Sequence, residues 1–174
     1  MLFRSLVINV GAGEGYYAVG FAERMAQSRV ICFETLEKNR IQINELASRN
    51  GVADRLDIRG QCTAEILGQA IGTETDVVIF CDAEGHELEL LQPALVSRLK
   101  SASIVVELHD AMLPGVSKEI EARFKSSHRI VEIWSQPRSL KDWPEEVDLP
   151  RAKRKSVLDE SRGGPMNWFW MTPK

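Results

Sequence analysis

Short apolar and β-branched runs alternate along the chain with segments whose apolar residues return at helical spacing. The runs fall at Leu6 to Val10, Val30 to Glu34, Leu56 to Gly60, Val77 to Asp82, Ile104 to His109, Ile130 to Trp134 and Trp168 to Met171, which predicts seven strands. Between them lie four apolar stripes: Val19, Ala22 and Ala26; Leu36, Ile43 and Ala47; Leu88, Leu91, Leu95 and Leu99; and Val116, Ile120 and Phe124. Each stripe occupies one face of a helix. Strand and helix in alternation predict an α/β, three-layer fold with a seven-stranded, mostly parallel sheet covered on both sides. Val77-Val78-Ile79-Phe80-Cys81 is apolar throughout, as a central strand between two helix layers must be, and is expected beside the first strand. No helical pattern separates the last two runs, so they are expected to form a terminal antiparallel hairpin. The stretch 136–166, which holds Pro137, Pro144, Pro150 and Pro165, reads as a long loop.

Composition narrows the class. A chain of 174 residues with 44% hydrophobic content is expected to fold as one domain, 1–174, burying roughly 70% of the surface its unfolded form exposes. A formal charge of −3 gives no broad basic field, so a nucleic-acid partner is not expected and a small-molecule partner is. Cys32, Cys62 and Cys81 are odd in number and lack metal-type spacing. They read as reduced thiols, which suits a cytoplasmic protein. No run is long enough to span a bilayer.

Candidate chemistry begins at the end of the first strand, with Gly11-Ala12-Gly13-Glu14-Gly15-Tyr16 leading into a helical pattern. Glycines let backbone turn sharply and approach a ligand closely. Glu34 ends the second strand, 19 residues after Gly15, where a carboxylate can grip two ribose hydroxyls. A dinucleotide fingerprint needs its third glycine one place later, where this chain has the bulky Tyr16. Gly-x-Gly-x-Gly with that acid therefore favours S-adenosylmethionine as cofactor. In open α/β sheets ligands bind beyond the carboxyl ends of the strands, so the glycine turn, Glu34, Gln61, Asp82 and His109 should converge on one cleft.

Three blocks carry a family resemblance: Ile8-Asn9-Val10-Gly11-Ala12-Gly13-Glu14-Gly15-Tyr16-Tyr17, Asp82-Ala83-Glu84-Gly85-His86-Glu87-Leu88-Glu89-Leu90-Leu91 and Val105-Val106-Glu107-Leu108-His109. Together with the strand pattern they resemble the class I S-adenosylmethionine-dependent methyltransferases, and among these the FkbM-type family. That resemblance implies a Rossmann-like fold and O-methylation of a hydroxyl on a sugar, glycan or secondary metabolite. With the first strand starting at Leu6, the helical segment usual before it is expected to be lacking. Carried over by position, Gly11, Gly13 and Gly15 would line the methionine half of the cofactor, with Ala12 and Tyr16 in the same turn. Asn9 stands where related enzymes often have an acid. Thr35 and Leu36 would flank the adenine, and Gln61 and Cys62 would meet its rim. Asn9 holding the turn, Glu34 as a solvated strand-end carboxylate, and Gln61 and Cys62 as structural residues are the plainer readings.

Asp82 and Glu84 sit at a strand tip before Gly85 and form the expected catalytic centre with His109. Methyl transfer is an in-line displacement, so alignment does most of the work and an alcohol acceptor needs a base. Glu84 and His109 are both candidates for that base. His109 lies at a strand end before Asp110; its plainer reading is a histidine satisfied by backbone. His86 reads as a first-turn helix residue. Asp82, Glu84, His86, His109 and Asp110 offer ligands enough for a divalent ion, but their spacing fixes no convergence and no metal is expected. Arg151, Lys153, Arg154 and Lys155 read as a solvated basic cluster, the alternative being recruitment of an anionic acceptor. Trp168 and Trp170 share a face and read as core, with Gly163-Gly164-Pro165 turning the chain before them. Two other functions remain in view: a catalytically silent S-adenosylmethionine-binding domain, and a nicotinamide oxidoreductase, which Tyr16 disfavours.

Overall fold

The computed structural model describes residues 6–136, 138–158 and 166–174. Pro137 and the expected turn at Gly163-Gly164-Pro165 lie outside these described residues. Seven strands, β1 (Leu6–Val10), β2 (Arg29–Phe33), β3 (Leu56–Arg59), β4 (Val77–Cys81), β5 (Ser103–Leu108), β6 (His128–Trp134) and β7 (Asn167–Pro173), form one sheet in the order β3-β2-β1-β4-β5-β7-β6. The first five run parallel. β7 inserts antiparallel between β5 and β6. The expected Rossmann-like sheet with its closing hairpin is the observed one, and β4 does neighbour β1. Strand order reverses between β1 and β4, because β2 and β3 extend one way from β1 and β4 and β5 the other. A crevice at the carboxyl ends follows from that reversal.

Helices α1 (Tyr16–Arg24), α2 (Glu37–Arg49), α3 (Ala64–Ile71), α4 (Glu87–Leu90), α5 (Val116–Phe124) and α6 (Arg151–Leu158) complete the described elements, with short 3-10 turns between some of them. Val7, Val30 and Cys32 pack under Ala18, Val19 and Ala22 of α1 and Ile43 and Ala47 of α2. On the opposite face Leu6, Ile8, Ile31, Ile79 and Ile104 pack with Leu67 of α3, Leu90 of α4 and Ile120 and Phe124 of α5. Truncating one of these fully buried aliphatics to alanine costs about 2–5 kcal/mol.

Three segments depart from the sequence expectation. The helix expected over Leu88 to Leu99 stops at Leu90, because Pro93 has no N–H to donate; a 3-10 turn at Ser97–Ser101 buries Leu99, while Leu95 of the expected stripe is exposed. α3 was not anticipated, although Thr63 caps it by accepting from the Ile66 N–H at 3.2 Å and Leu67, Ala70 and Ile71 form its buried face. The stretch read as a loop contains a capped 3-10 turn at Leu140–Asp142 and the whole of α6. Pro150, just before α6, sits where a missing N–H does no harm.

Candidate active site

The glycine turn is built by contact as much as by conformation. Gly11 adopts φ +75°, and a Cβ there would stand 1.7 Å from the Asp82 carbonyl oxygen, so the ends of β1 and β4 approach only because residue 11 has no side chain. Gly11 and Ala12 N–H both donate to the Phe33 carbonyl, at 3.1 and 3.0 Å, which locks the turn to the end of β2. Gly13 also has a positive φ, yet nothing lies within 4 Å of where its Cβ would be.

Glu34 is buried immediately after β2 and joins two loops. Its Oε2 accepts from the Gly13 N–H at 2.9 Å and its Oε1 from the Leu36 N–H at 2.8 Å. Arg40 donates from Nη1 to the carbonyls of Glu34 and Thr35, at 2.9 and 2.7 Å, and so fixes the backbone that carries the carboxylate. Each carboxylate oxygen keeps acceptor capacity beyond its one backbone bond.

A cavity of about 760 Å³ opens at the carboxyl ends of β1 to β4. Among the residues anticipated for the cofactor, Gly11, Gly13, Glu34, Thr35, Leu36, Gln61, Cys62 and Asp82 line it, together with Glu84. Asn39, Thr63, Ala64, His86, Glu89 and Leu90 also line it and were not anticipated; α3, unseen in the sequence pattern, brings Ala64 there. Asn9, Ala12, Gly15 and Tyr16 are not part of the lining. Asn9 is fully buried in β1, with Nδ2 3.5 Å from the Phe80 carbonyl and Oδ1 without a hydrogen-bond partner among the described residues. Gly15 faces Ile43, and Tyr16 is 79% exposed.

At the other wall, Asp82 follows β4 and Glu84 adopts φ +50°, a left-handed conformation that costs a side chain about 1–2 kcal/mol. Gly85 follows at φ +96°, so the chain doubles back and lays α4 against the end of β5. There the buried Glu87 Oε1 accepts from the N–H groups of Ala83 and Gly85, at 3.2 and 3.1 Å, and stands 2.8 Å from His109 Nδ1. With that acceptor, Nδ1 carries a proton and Nε2 turns to the carboxylates, 3.6 Å from Asp82 Oδ1 and 3.4 Å from Glu84 Oε2.

The electrostatics follow from these contacts. The hydrogen bond to Glu87 raises the His109 pKa above its ordinary value, against the effect of burial. Burial would raise Glu87, but the bonds from His109 and backbone outweigh it and hold the carboxyl below its usual range. Asp82 is pushed up to about 7, first by burial and then by the neighbouring Glu107 carboxyl. Cys62, at the cavity, is held up to about 12 by burial and therefore stays a thiol.

Glu87 was missed by the sequence reading; the signal for it was the third acid of Asp82-x-Glu84-x-x-Glu87, three places after Glu84. His86 pairs instead with Glu89, at 3.2 Å on the exposed surface. Asp110 caps α5, accepting from Gly115 N–H, Ser117 N–H and Ser117 Oγ–H at 3.0 to 3.1 Å. Among the described residues no helix is long and apolar enough to cross a membrane.

Comparison with known proteins adds the fold's company. No protein-family profile and no curated protein matches the chain. Among solved structures it is similar to an S-adenosylmethionine-dependent methyltransferase from Geobacter sulfurreducens in complex with S-adenosyl-L-homocysteine, at 13% identity and a TM-score of 0.63, covering 100% of this chain and 86% of that one. An O-methyltransferase from Bacillus cereus, also in complex with S-adenosylhomocysteine, matches at 18% identity and a TM-score of 0.62, over 98% of this chain and 74% of that one. An rRNA methylase from Streptococcus thermophilus matches at 12% identity and a TM-score of 0.61, over 98% and 87%. These likenesses establish the Rossmann-like methyltransferase fold.

Proposed function

We propose that the chain is an S-adenosylmethionine-dependent methyltransferase of the FkbM type that methylates a hydroxyl on a sugar, glycan or secondary metabolite. The observation that carries this reading is a single cavity with Glu34 and the glycine turn on one wall and Asp82 and Glu84, backed by His109, on another. The similar structures hold S-adenosylhomocysteine in the same fold.

The residues fit that cofactor. Glu34 would take the ribose hydroxyls, Thr35, Leu36, Gln61 and Cys62 the adenine, and the bare backbone of Gly11 and Gly13 the methionine end. When bound, the cofactor supplies an electrophilic methyl group. Asp82, Glu84 and His109 form the end of the site that takes the proton of an acceptor hydroxyl, and Glu87 fixes the imidazole's direction. Glu14, Glu34, Asp82, Glu84 and Glu89 make the cavity wall acidic, which favours a neutral hydroxylated acceptor over a phosphate backbone, although one similar structure is an rRNA methylase.

Calorimetric titration with S-adenosylmethionine and S-adenosylhomocysteine tests the pocket. Binding is expected in the parent chain and loss of at least tenfold, about 1.4 kcal/mol, in Glu34→Ala. No binding to the parent overturns the proposal. Binding without turnover across a panel of sugars and hydroxylated metabolites would leave a silent binding domain instead.

A further inference from the structure

We infer that Asp82, Glu84 and His109 hold a divalent metal ion of the manganese or zinc type at the wall of the cavity. One ligand atom from each of these side chains lies within 4.8 Å of the others. Two atoms bound to one ion at about 2.1 Å stand about 3.0 Å apart at right angles and about 3.4 Å apart at a tetrahedral angle. The spacings from His109 Nε2, 3.4 Å to Glu84 Oε2 and 3.6 Å to Asp82 Oδ1, match one shared ion and are long for hydrogen bonds.

The histidine supplies the second line of argument. Its side chain is 4% exposed, and the ring's one hydrogen bond among the described residues runs between Nδ1 and Glu87 Oε1. Nε2 therefore faces two carboxylates, whose mutual repulsion a cation held between them would offset. Asp82 Oδ1 is likewise buried without a hydrogen-bond partner among the described residues. Metal-bound histidines commonly donate their other N–H to a carboxylate, and Glu87, fully buried and held by two backbone N–H groups, is built for that task. One imidazole with two carboxylates suits manganese or zinc better than calcium. Glu84 is 75% exposed and Asp82 lines the cavity, so the open side of the ion faces the space where an acceptor would lie. There the ion would hold the acceptor oxygen and ease loss of its proton to solvent, which relieves His109 of acting as a free base. That role rests on the methyltransferase reading; the binding of the ion does not.

The test is titration of the chelator-treated chain with Mn²⁺, followed by loss of the free ion's electron paramagnetic resonance signal and by competition with Zn²⁺. One ion per chain is expected, with affinity about 10- to 100-fold weaker in Asp82→Asn, Glu84→Gln and Glu87→Gln and unchanged in Glu45→Gln, exposed on α2. Circular dichroism confirms that each variant is folded, and three separate variants keep the result readable if one is not. No uptake by the parent at millimolar ion, or uptake that these substitutions leave unchanged, overturns the site. S-adenosylhomocysteine titrated into the same metal-free chain separates the two proposals: cofactor binding without ion uptake leaves the pocket standing and removes the metal.

Discussion

Glu87 Oε1 and His109 Nδ1 stand 2.8 Å apart with both side chains buried, tying the first turn of α4 to the end of β5. The same oxygen takes the Ala83 and Gly85 N–H groups, so one carboxylate organises the loop that carries Glu84. Glu87→Ala strands these donors in the interior and is expected to cost about 3–5 kcal/mol. Glu87→Gln keeps an acceptor oxygen and is expected to cost about 1–2 kcal/mol. Urea unfolding of the two variants checks this; equal losses would mean that the oxygen is not the feature that matters.

Gly11 and Gly13 are both left-handed but differ in what surrounds them, which predicts different outcomes for the same substitution. Gly13→Ala is expected to cost only the conformational strain, about 1–2 kcal/mol. Gly11→Ala adds a collision with the Asp82 carbonyl and must push β1 and β4 apart, so its loss should be clearly larger and should disturb the cavity. Unfolding free energies of the two variants decide the order, and a Gly11→Ala chain as stable as Gly13→Ala would contradict the strand-end contact.

His128 gives a pH signature remote from the active site. It lies buried at the start of β6, where Nε2 meets the Ala102 carbonyl and Nδ1 meets Ser127 Oγ, each at 2.9 Å. Burial lowers its pKa, and nearby Lys174 adds to the effect against the Ala102 bond. The unfolded chain therefore takes the proton first, at about pH 6.5. This contribution to stability is complete above that pH and is lost as pH falls from there to the folded value. Subtracting the stability of His128→Gln from that of the parent at pH 7.5, 6.5 and 5.5 (about one-unit steps across the histidine range) should give a difference that declines with acid. A flat difference would show that His128 does not titrate differently in the fold.

Sequence patterning reached as far as the spacing of apolar residues could carry it. The continuous run Val77 to Cys81 identified a strand buried on both faces, and Glu34 could be placed because strand, turn and acid are local in sequence. The helix after Gly85 was misjudged because Pro93 interrupts a stripe that looks continuous, and α3 because its eight residues are too few to show a clear period.

What the sequence determined by itself was the Rossmann-like sheet, its terminal hairpin and the set of strand ends where chemistry would gather. Backbone hydrogen bonding and burial of apolar faces act at fixed periods, so they leave their mark in composition. What only the tertiary structure decided was which polar residues meet. Asp82, Glu84 and His109 converge while His86 pairs with Glu89 and Asp110 caps α5, because the left-handed Glu84 and Gly85 reverse the chain and Glu87 then reaches His109, 22 residues along the sequence. Side-chain direction after such a reversal depends on contacts distant in sequence, and no local pattern records it.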